Sequence, residues 1–244
     1  MTKRFYLVTL GCPKNTVDAE AMSALLLAAG WHQTQRAARA DILIANTCGF
    51  IESARQESLD TLRQLARAKK PGQKLLAAGC LSQRWGAELQ ALVPGVDGTL
   101  GTREWARIVS CVEGLCGFPL DAPARPSEQL SVVTPTHRIH TGHSAYLKIS
   151  DGCSAACSFC AIPQIKGPHR SKEWSAILAE VRELADAHVQ EIILIGQDTT
   201  AYGLDLGQHD ALPALIADMC HAAPDVPWLR LMYAYPQHVS PRLI

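Results

Sequence analysis

Three cysteines, Cys153, Cys157 and Cys160, stand in the spacing C-x3-C-x2-C directly after the strand-forming run Ala145-Tyr146-Leu147-Lys148-Ile149. Three thiolates on one tight loop can ligate three irons of a 4Fe-4S cubane and leave the fourth iron open to a ligand from outside the protein. S-adenosylmethionine can fill that position through its amino and carboxylate groups, and an electron from the cluster then cleaves the sulfonium to give a 5′-deoxyadenosyl radical. The competing readings are a zinc site, which takes four closed ligands in paired C-x2-C spacing, and a chance group of buried thiols. The spacing favours the cubane.

A second set emerges when the cysteines are laid on the elements that must position them. Residues 5–10 form an apolar, β-rich run, and a helical pattern over 16–29 closes at Gly30. The unit recurs as a strand over 42–45 with a helix over 52–68, and again as a strand over 75–78 with a helix over 83–92. A shorter version follows, with a helix from Arg103 to Glu113. Alternating strands and helices predict an open, doubly wound parallel sheet over residues 1–118. Cys12, Cys48 and Cys80 follow its first three strands, 36 and 32 residues apart. All three are therefore expected at the carboxyl ends of parallel strands, on the rim where open α/β sheets place ligands. Glycine adjoins each, as Gly11, Gly49 and Gly79, and lets backbone crowd a bulky inorganic ligand. One such cysteine reads as a small buried side chain; three in equivalent positions read as a second cluster with an open iron. Cys111, Cys116 and Cys220 lack this placement and read as core or surface thiols.

Residues 119–142 change character, with Pro119, Pro123, Pro126 and Pro135 and no sustained periodicity, and are expected to be a linker. Over 143–244, strands at 145–149, 191–195 and 228–233 alternate with helices at 173–187 and 210–222. This is the pattern of a (βα) barrel, which three strands cannot close. The chain stops at Ile244 in mid-pattern, so the missing strands are expected in a longer protein.

Composition narrows the classes. Of the 244 residues, 48% are hydrophobic, enough for real cores, and no apolar run approaches the roughly 18 residues of a membrane span. The start of the chain could be mistaken for a lipoprotein signal, but its apolar run is short and Thr9 stands where such signals prefer Leu. Basic and acidic residues both number 23, so there is no bulk charge for gripping a polyanion. Residues 1–118 carry 14 basic and 10 acidic groups, and 143–244 carry 7 and 11. Nine cysteines are an odd number for a disulfide framework and point to a reducing, cytoplasmic compartment.

The stretches Leu10-Gly-Cys-Pro-Lys-Asn15-Thr-Val-Asp-Ala-Glu20, Asn46-Thr-Cys-Gly-Phe-Ile-Glu-Ser-Ala54 and Ala78-Gly-Cys-Leu-Ser-Gln-Arg84 resemble the amino-terminal domain of the radical S-adenosylmethionine methylthiotransferases. So do Tyr146-Leu-Lys-Ile-Ser-Asp-Gly-Cys153, Gly167-Pro-His-Arg-Ser171 and Leu194-Ile-Gly-Gln-Asp-Thr-Thr-Ala-Tyr-Gly203 in the radical domain. The Cys-Pro-Lys-Asn and Cys-Gly-Phe-Ile wording is similar to the branch that methylthiolates an aspartate of ribosomal protein uS12. In the tRNA-modifying branch the first motif usually reads Cys-Gln-Met-Asn.

The resemblance implies two 4Fe-4S clusters, on Cys12/Cys48/Cys80 and on Cys153/Cys157/Cys160, with S-adenosylmethionine as cosubstrate. One S-adenosylmethionine methylates a sulfur carried by the first cluster, and a second is cleaved at the other. The radical abstracts hydrogen from the aspartate β-carbon, which takes up the methylthio group. No general acid or base is needed at that carbon. The implied partners are uS12 and an electron donor, with no membrane, and the chain is expected to be a monomer. The family's carboxyl-terminal substrate-binding barrel is expected beyond residue 244.

Phe159 matches the family position whose ring lies near the adenine, although ordinary packing would also explain it. Gly196-Gln197-Asp198 ends a strand where radical enzymes often carry Gly-Gly-Glu for the amino group, so Gln197 or Asp198 is expected to touch the cofactor. Arg170, with Lys166 and His169, could meet a carboxylate or form a solvated basic loop. Lys14 and Asn15 are expected to support the first cluster, the alternative for Asn15 being a helix cap. The competing functions are a tRNA adenosine methylthiotransferase and a non-catalytic iron-sulfur protein.

Overall fold

A computed structural model of the chain describes residues 3–118 and 142–244, which form two compact units. The expected linker lies outside the described residues except for Gly142. Among the described residues no helix is long and apolar enough to cross a membrane.

The first unit runs β1 (Arg4–Thr9), α1 (Pro13–Ala28), β2 (His32–Gln33), β3 (Ile42–Thr47), α2 (Glu52–Ala68), β4 (Lys74–Gly79), α3 (Cys80–Leu92), β5 (Gly98–Gly101) and α4 (Ile108–Cys116). The five strands are all parallel, in the order β2-β1-β3-β4-β5. Side chains alternate across the sheet with the period of two that strands impose. Ile42, Ile44, Leu76 and Ala78 pack with Met22 and Leu26 of α1 and Ile108 and Val112 of α4. Leu43, Ala45, Leu75 and Ala77 pack on the other face with Leu59 and Leu62 of α2 and Leu81 and Leu89 of α3. Helices on both faces make the sheet doubly wound, as expected.

Helix α2 occupies the expected span, because its amphipathic pattern is uninterrupted. Two other helices begin three residues early. Pro13 is the first residue of α1, where its fixed φ suits the helix and its missing N–H costs nothing. Cys80 opens α3 directly from Gly79, whose φ of 96° turns strand into helix without a loop. The stretch expected as one helix from Arg103 instead forms a 3-10 turn over Thr102–Arg107 and then α4, which ends at left-handed Gly117. Strand β2 was not expected: its two residues are exposed and carry no apolar pattern.

The second unit runs β6 (Ser144–Lys148), β7 (Ser150–Asp151), α5 (Ile162–Lys166), β8 (Arg170–Ser171), α6 (Trp174–Asp186), β9 (Glu191–Ile195), α7 (Leu212–Ala222) and β10 (Trp228–Leu231). A parallel sheet of order β10-β9-β6 turns Ala145, Leu147, Ile192 and Leu194 toward Ile177 and Val181 of α6 and Leu215 and Met219 of α7. This is the βα alternation found in (βα) barrels, with α6 and α7 packed together on one face of the sheet. The short pair β7 and β8, antiparallel, ties the segment before Cys153 to the segment after α5.

Candidate functional site

In the first unit, β1, β3 and β4 are neighbours, so the residues that follow them share one rim. The order β2-β1-β3 reverses direction at β1, which places the topological switch point between β1 and β3, where open sheets bind ligands. Cys12 and Cys48 flank that point. Cys12 precedes the first residue of α1 and Cys80 is the first residue of α3, so both thiols lie at helix amino termini, where anions are favoured. Cys48 and Cys80 are buried and Cys12 is half-buried, and all are free thiols. A Cβ on Gly11 would stand 2.6 Å from Cys48 Cβ and 3.0 Å from its Sγ, so the turns bearing Cys12 and Cys48 are in contact. A Cβ on Gly79 would meet Thr47 O at 2.5 Å. These glycines make room for a neighbouring turn, where the sequence reading had them making room for the ligand.

Polar side chains bind the three turns together. The Asn15 carboxamide nitrogen donates to Leu10 O (2.8 Å) and Thr47 O (3.1 Å). Asn46 Nδ2 donates to Asn15 O (2.7 Å), and Thr47 Oγ1 to Ala78 O (2.5 Å). Ser58 Oγ accepts from Cys48 N (3.0 Å) and donates to Cys48 O (2.9 Å). Asn15 is inside α1 and does not cap it, the N-cap position being held by Cys12. Asn46, Thr47 and Ser58 were missed, since nothing local distinguishes a buried polar staple from an ordinary turn residue. Burial raises the Cys48 thiol pKa, and the neighbouring charge of Cys12 adds to the rise.

In the second unit the segment from Cys153 to Cys157 lines a cavity of about 590 Å³ together with His169, Asp198, Asp205, Tyr235 and His238, while Cys160 lies outside the lining. That volume suits a nucleoside-sized ligand. The loop is pinned by Cys153 N donating to Gly167 O (3.1 Å) and His169 N to Ser154 Oγ (3.1 Å). Gly152 (φ 73°) admits no side chain, because a Cβ would lie 2.1 Å from Pro168 O. Behind it, Lys148 Nζ and Lys166 Nζ approach Asp151 Oδ2 at 3.2 and 3.4 Å, all three side chains being largely buried. Burial alone would raise the Asp151 pKa, but the two ammonium charges and its hydrogen bonds hold it at about 2. Lys166 is thus engaged in holding the loop rather than displayed on a solvated one.

Of the residues expected to touch the cofactor, Asp198 stands on the cavity wall. Its Oδ1 accepts from Thr200 N (3.0 Å), and its Oδ2 is 2.9 Å from His238 Nδ1. Gln197, half-buried beside it, is not in the cavity lining, and its Oε1 is buried without a hydrogen-bond partner among the described residues. Arg170 is exposed on β8, and Phe159 is 88% exposed; neither lines the cavity. His169 does, and burial lowers its pKa against the pull of Asp205, Asp198 and Asp151. Asp205, Tyr235 and His238 were missed: none lies within the stretches whose wording carries the resemblance.

Among the described residues, no three His, Cys, Asp or Glu side chains gather closely enough to hold a single metal ion. A cubane places each cysteine on a different iron and needs wider spacing. The donor sets fit such clusters, with three thiols on one rim in the first unit and three on one loop in the second. The Asp198 carboxylate on the cavity wall likewise fits the ammonium of S-adenosylmethionine.

Comparison with known proteins agrees with both halves. The model described as Uncharacterized protein family UPF0004 matches residues 4–101, and that of the Radical SAM superfamily matches 147–222. The chain is 47% identical over 262 residues to the Ribosomal protein uS12 methylthiotransferase RimO of Roseiflexus sp. (strain RS-1), covering 99% of this chain and 55% of that one. It is 46% identical to the protein of the same name from Chloroflexus aurantiacus, covering 99% and 56%. The chain spans about half the length of the curated relatives it matches. Its fold resembles that of the radical S-adenosylmethionine methyltransferase TsrM from Kitasatospora setae, with a TM-score of 0.67 at 13% identity, covering 100% of this chain and 58% of the other. With both domain models matched in tandem, the chain carries a UPF0004 domain followed by a Radical SAM domain, and along 99% of its length it is similar to proteins named Ribosomal protein uS12 methylthiotransferase RimO.

Proposed function

We propose that the chain is the cluster-bearing part of an enzyme that adds a methylthio group to the β-carbon of an aspartate in ribosomal protein uS12. The observation that carries this reading is the pairing of two cysteine triplets, one at the switch point of the first unit and one on the cavity loop of the second. Cys12, Cys48 and Cys80 would hold one 4Fe-4S cluster, and Cys153, Cys157 and Cys160 the other. When bound, the clusters supply an electron to cleave S-adenosylmethionine in the second unit and a foothold for the transferred sulfur in the first.

The chain's own residues bind and orient. Asp198, fixed by Thr200 and His238, offers a carboxylate to the cofactor's ammonium, and Gln197 stands beside it outside the cavity lining. Arg170, on β8, would serve the cofactor's carboxylate, and Phe159, on the cluster loop, its adenine. Lys148, Asp151 and Lys166 hold the loop from behind. The partners are uS12 and an electron donor in the reducing cytoplasm, with the enzyme acting as a monomer.

The test uses anaerobically reconstituted protein with a reductant, S-adenosylmethionine and either a uS12 loop peptide or tRNA. The expected outcome is release of 5′-deoxyadenosine and a gain of about 46 Da on the peptide aspartate, methylthio replacing hydrogen. Modified tRNA with unmodified peptide would assign the chain to the adenosine-modifying reaction. Bound clusters without 5′-deoxyadenosine would leave only an iron-sulfur protein.

A further inference from the structure

We propose that Asn15 is the positioning residue of the first unit's metal site, setting the separation of the cysteine-bearing turns before any metal arrives. The inference rests on the reading that Cys12, Cys48 and Cys80 hold a cluster. Asn15 is 1% exposed and belongs to α1, yet its side chain serves three other segments. Both protons of its amide nitrogen are used, one on Leu10 O, two residues before Cys12, and one on Thr47 O, immediately before Cys48. Its carbonyl oxygen accepts from the Cys80 thiol at 3.7 Å. One carboxamide therefore touches the approach to all three cysteines.

The chemistry selects asparagine. Aspartate has no proton for either carbonyl and would set a carboxylate against two acceptors, and glutamine is one methylene longer at a position that is almost fully buried. The backbone oxygen of Asn15 in turn accepts from Asn46, so the helix that carries Asn15 is held on the rim from both sides.

The three contacts differ in what metal does to them. A thiolate has no proton to give, so the Cys80 contact belongs to the metal-free chain and holds that sulfur at the staple until a metal takes it. The bonds to Leu10 and Thr47 involve no ligand atom and persist after loading. They keep the turns of Cys12 and Cys48 at one spacing in both states.

The intact chain is reconstituted anaerobically with iron and sulfide and read by iron per chain and by electron paramagnetic resonance of the reduced sample. The unmodified chain should hold about eight irons and give two cluster signals. Asn15→Asp should hold about four and keep only the signal that Cys157→Ala removes. Leu62→Ala opens a cavity in the same unit; it should lower the thermal transition and still hold about eight. If Asn15→Asp loses the unit's folded circular dichroism, Asn15→Ser, whose hydroxyl cannot reach both carbonyls, takes its place. Eight irons and an unchanged spectrum in the Asn15 variants, or equal iron loss in Leu62→Ala, overturns the proposal alone. Four irons in the unmodified chain overturns the cluster reading and the proposal with it.

Discussion

The two cysteine triplets are built in opposite ways. Cys12, Cys48 and Cys80 come from three strand ends, two of them are buried, and side chains from α1, α2 and β3 bind their turns together. Cys153, Cys157 and Cys160 come from eight consecutive residues on an open loop, where Cys157 is exposed and hydrogen bonds from Cys153 N and His169 N hold the base. A site assembled from distant segments needs its protein staples in place beforehand, because the metal alone would have to gather three chain ends at an entropic cost. A contiguous loop has its donors already close together and can remain open toward a ligand that must enter and leave.

The contrast is broken most sharply by cysteine replacement. Cys157→Ala should reduce 5′-deoxyadenosine release below detection, while Cys48→Ala should release it at a rate near that of the unmodified chain. Chromatographic quantitation under identical reduction checks this, and equal loss in both variants would make the two sites one functional unit.

Next in size is the support behind the loop. Asp151→Asn removes the carboxylate shared by Lys148 and Lys166 and should cost about 3–5 kcal/mol in denaturant unfolding near neutral pH. Because the folded pKa, about 2, lies below the ordinary value of 3.8, the contribution is complete above that value and fades as pH falls toward 2. The gap between variant and unmodified chain should therefore narrow in acid; a gap independent of pH would contradict the charge argument.

Smaller effects separate rigid from open. Ser58→Ala leaves Cys48 N and O without their shared hydroxyl and should cost about 1–3 kcal/mol. Phe159→Ala, at an 88% exposed position, should change stability by less than about 0.5 kcal/mol. It should weaken S-adenosylmethionine binding measured by calorimetry, and an unchanged affinity would remove Phe159 from the site.

Much of this was legible in the amino-acid order alone. The apolar run of β3 and the amphipathic pattern of α2 report their own burial, so the βα alternation and the span 52–68 are readable without contacts. The spacing of Cys153, Cys157 and Cys160 is equally local, and the periodicity of the repeats places Cys12, Cys48 and Cys80 on strand ends. Tertiary structure alone decided that β2 joins the sheet edge and so puts the switch point between Cys12 and Cys48. It also decided that Asn15 spans to Thr47 and that His238 meets Asp198 forty residues away. Hydrophobic burial repeats with the period of the element and leaves a pattern in the sequence. A hydrogen bond between two distant polar side chains has no period, and only the folded chain reveals which pair makes it.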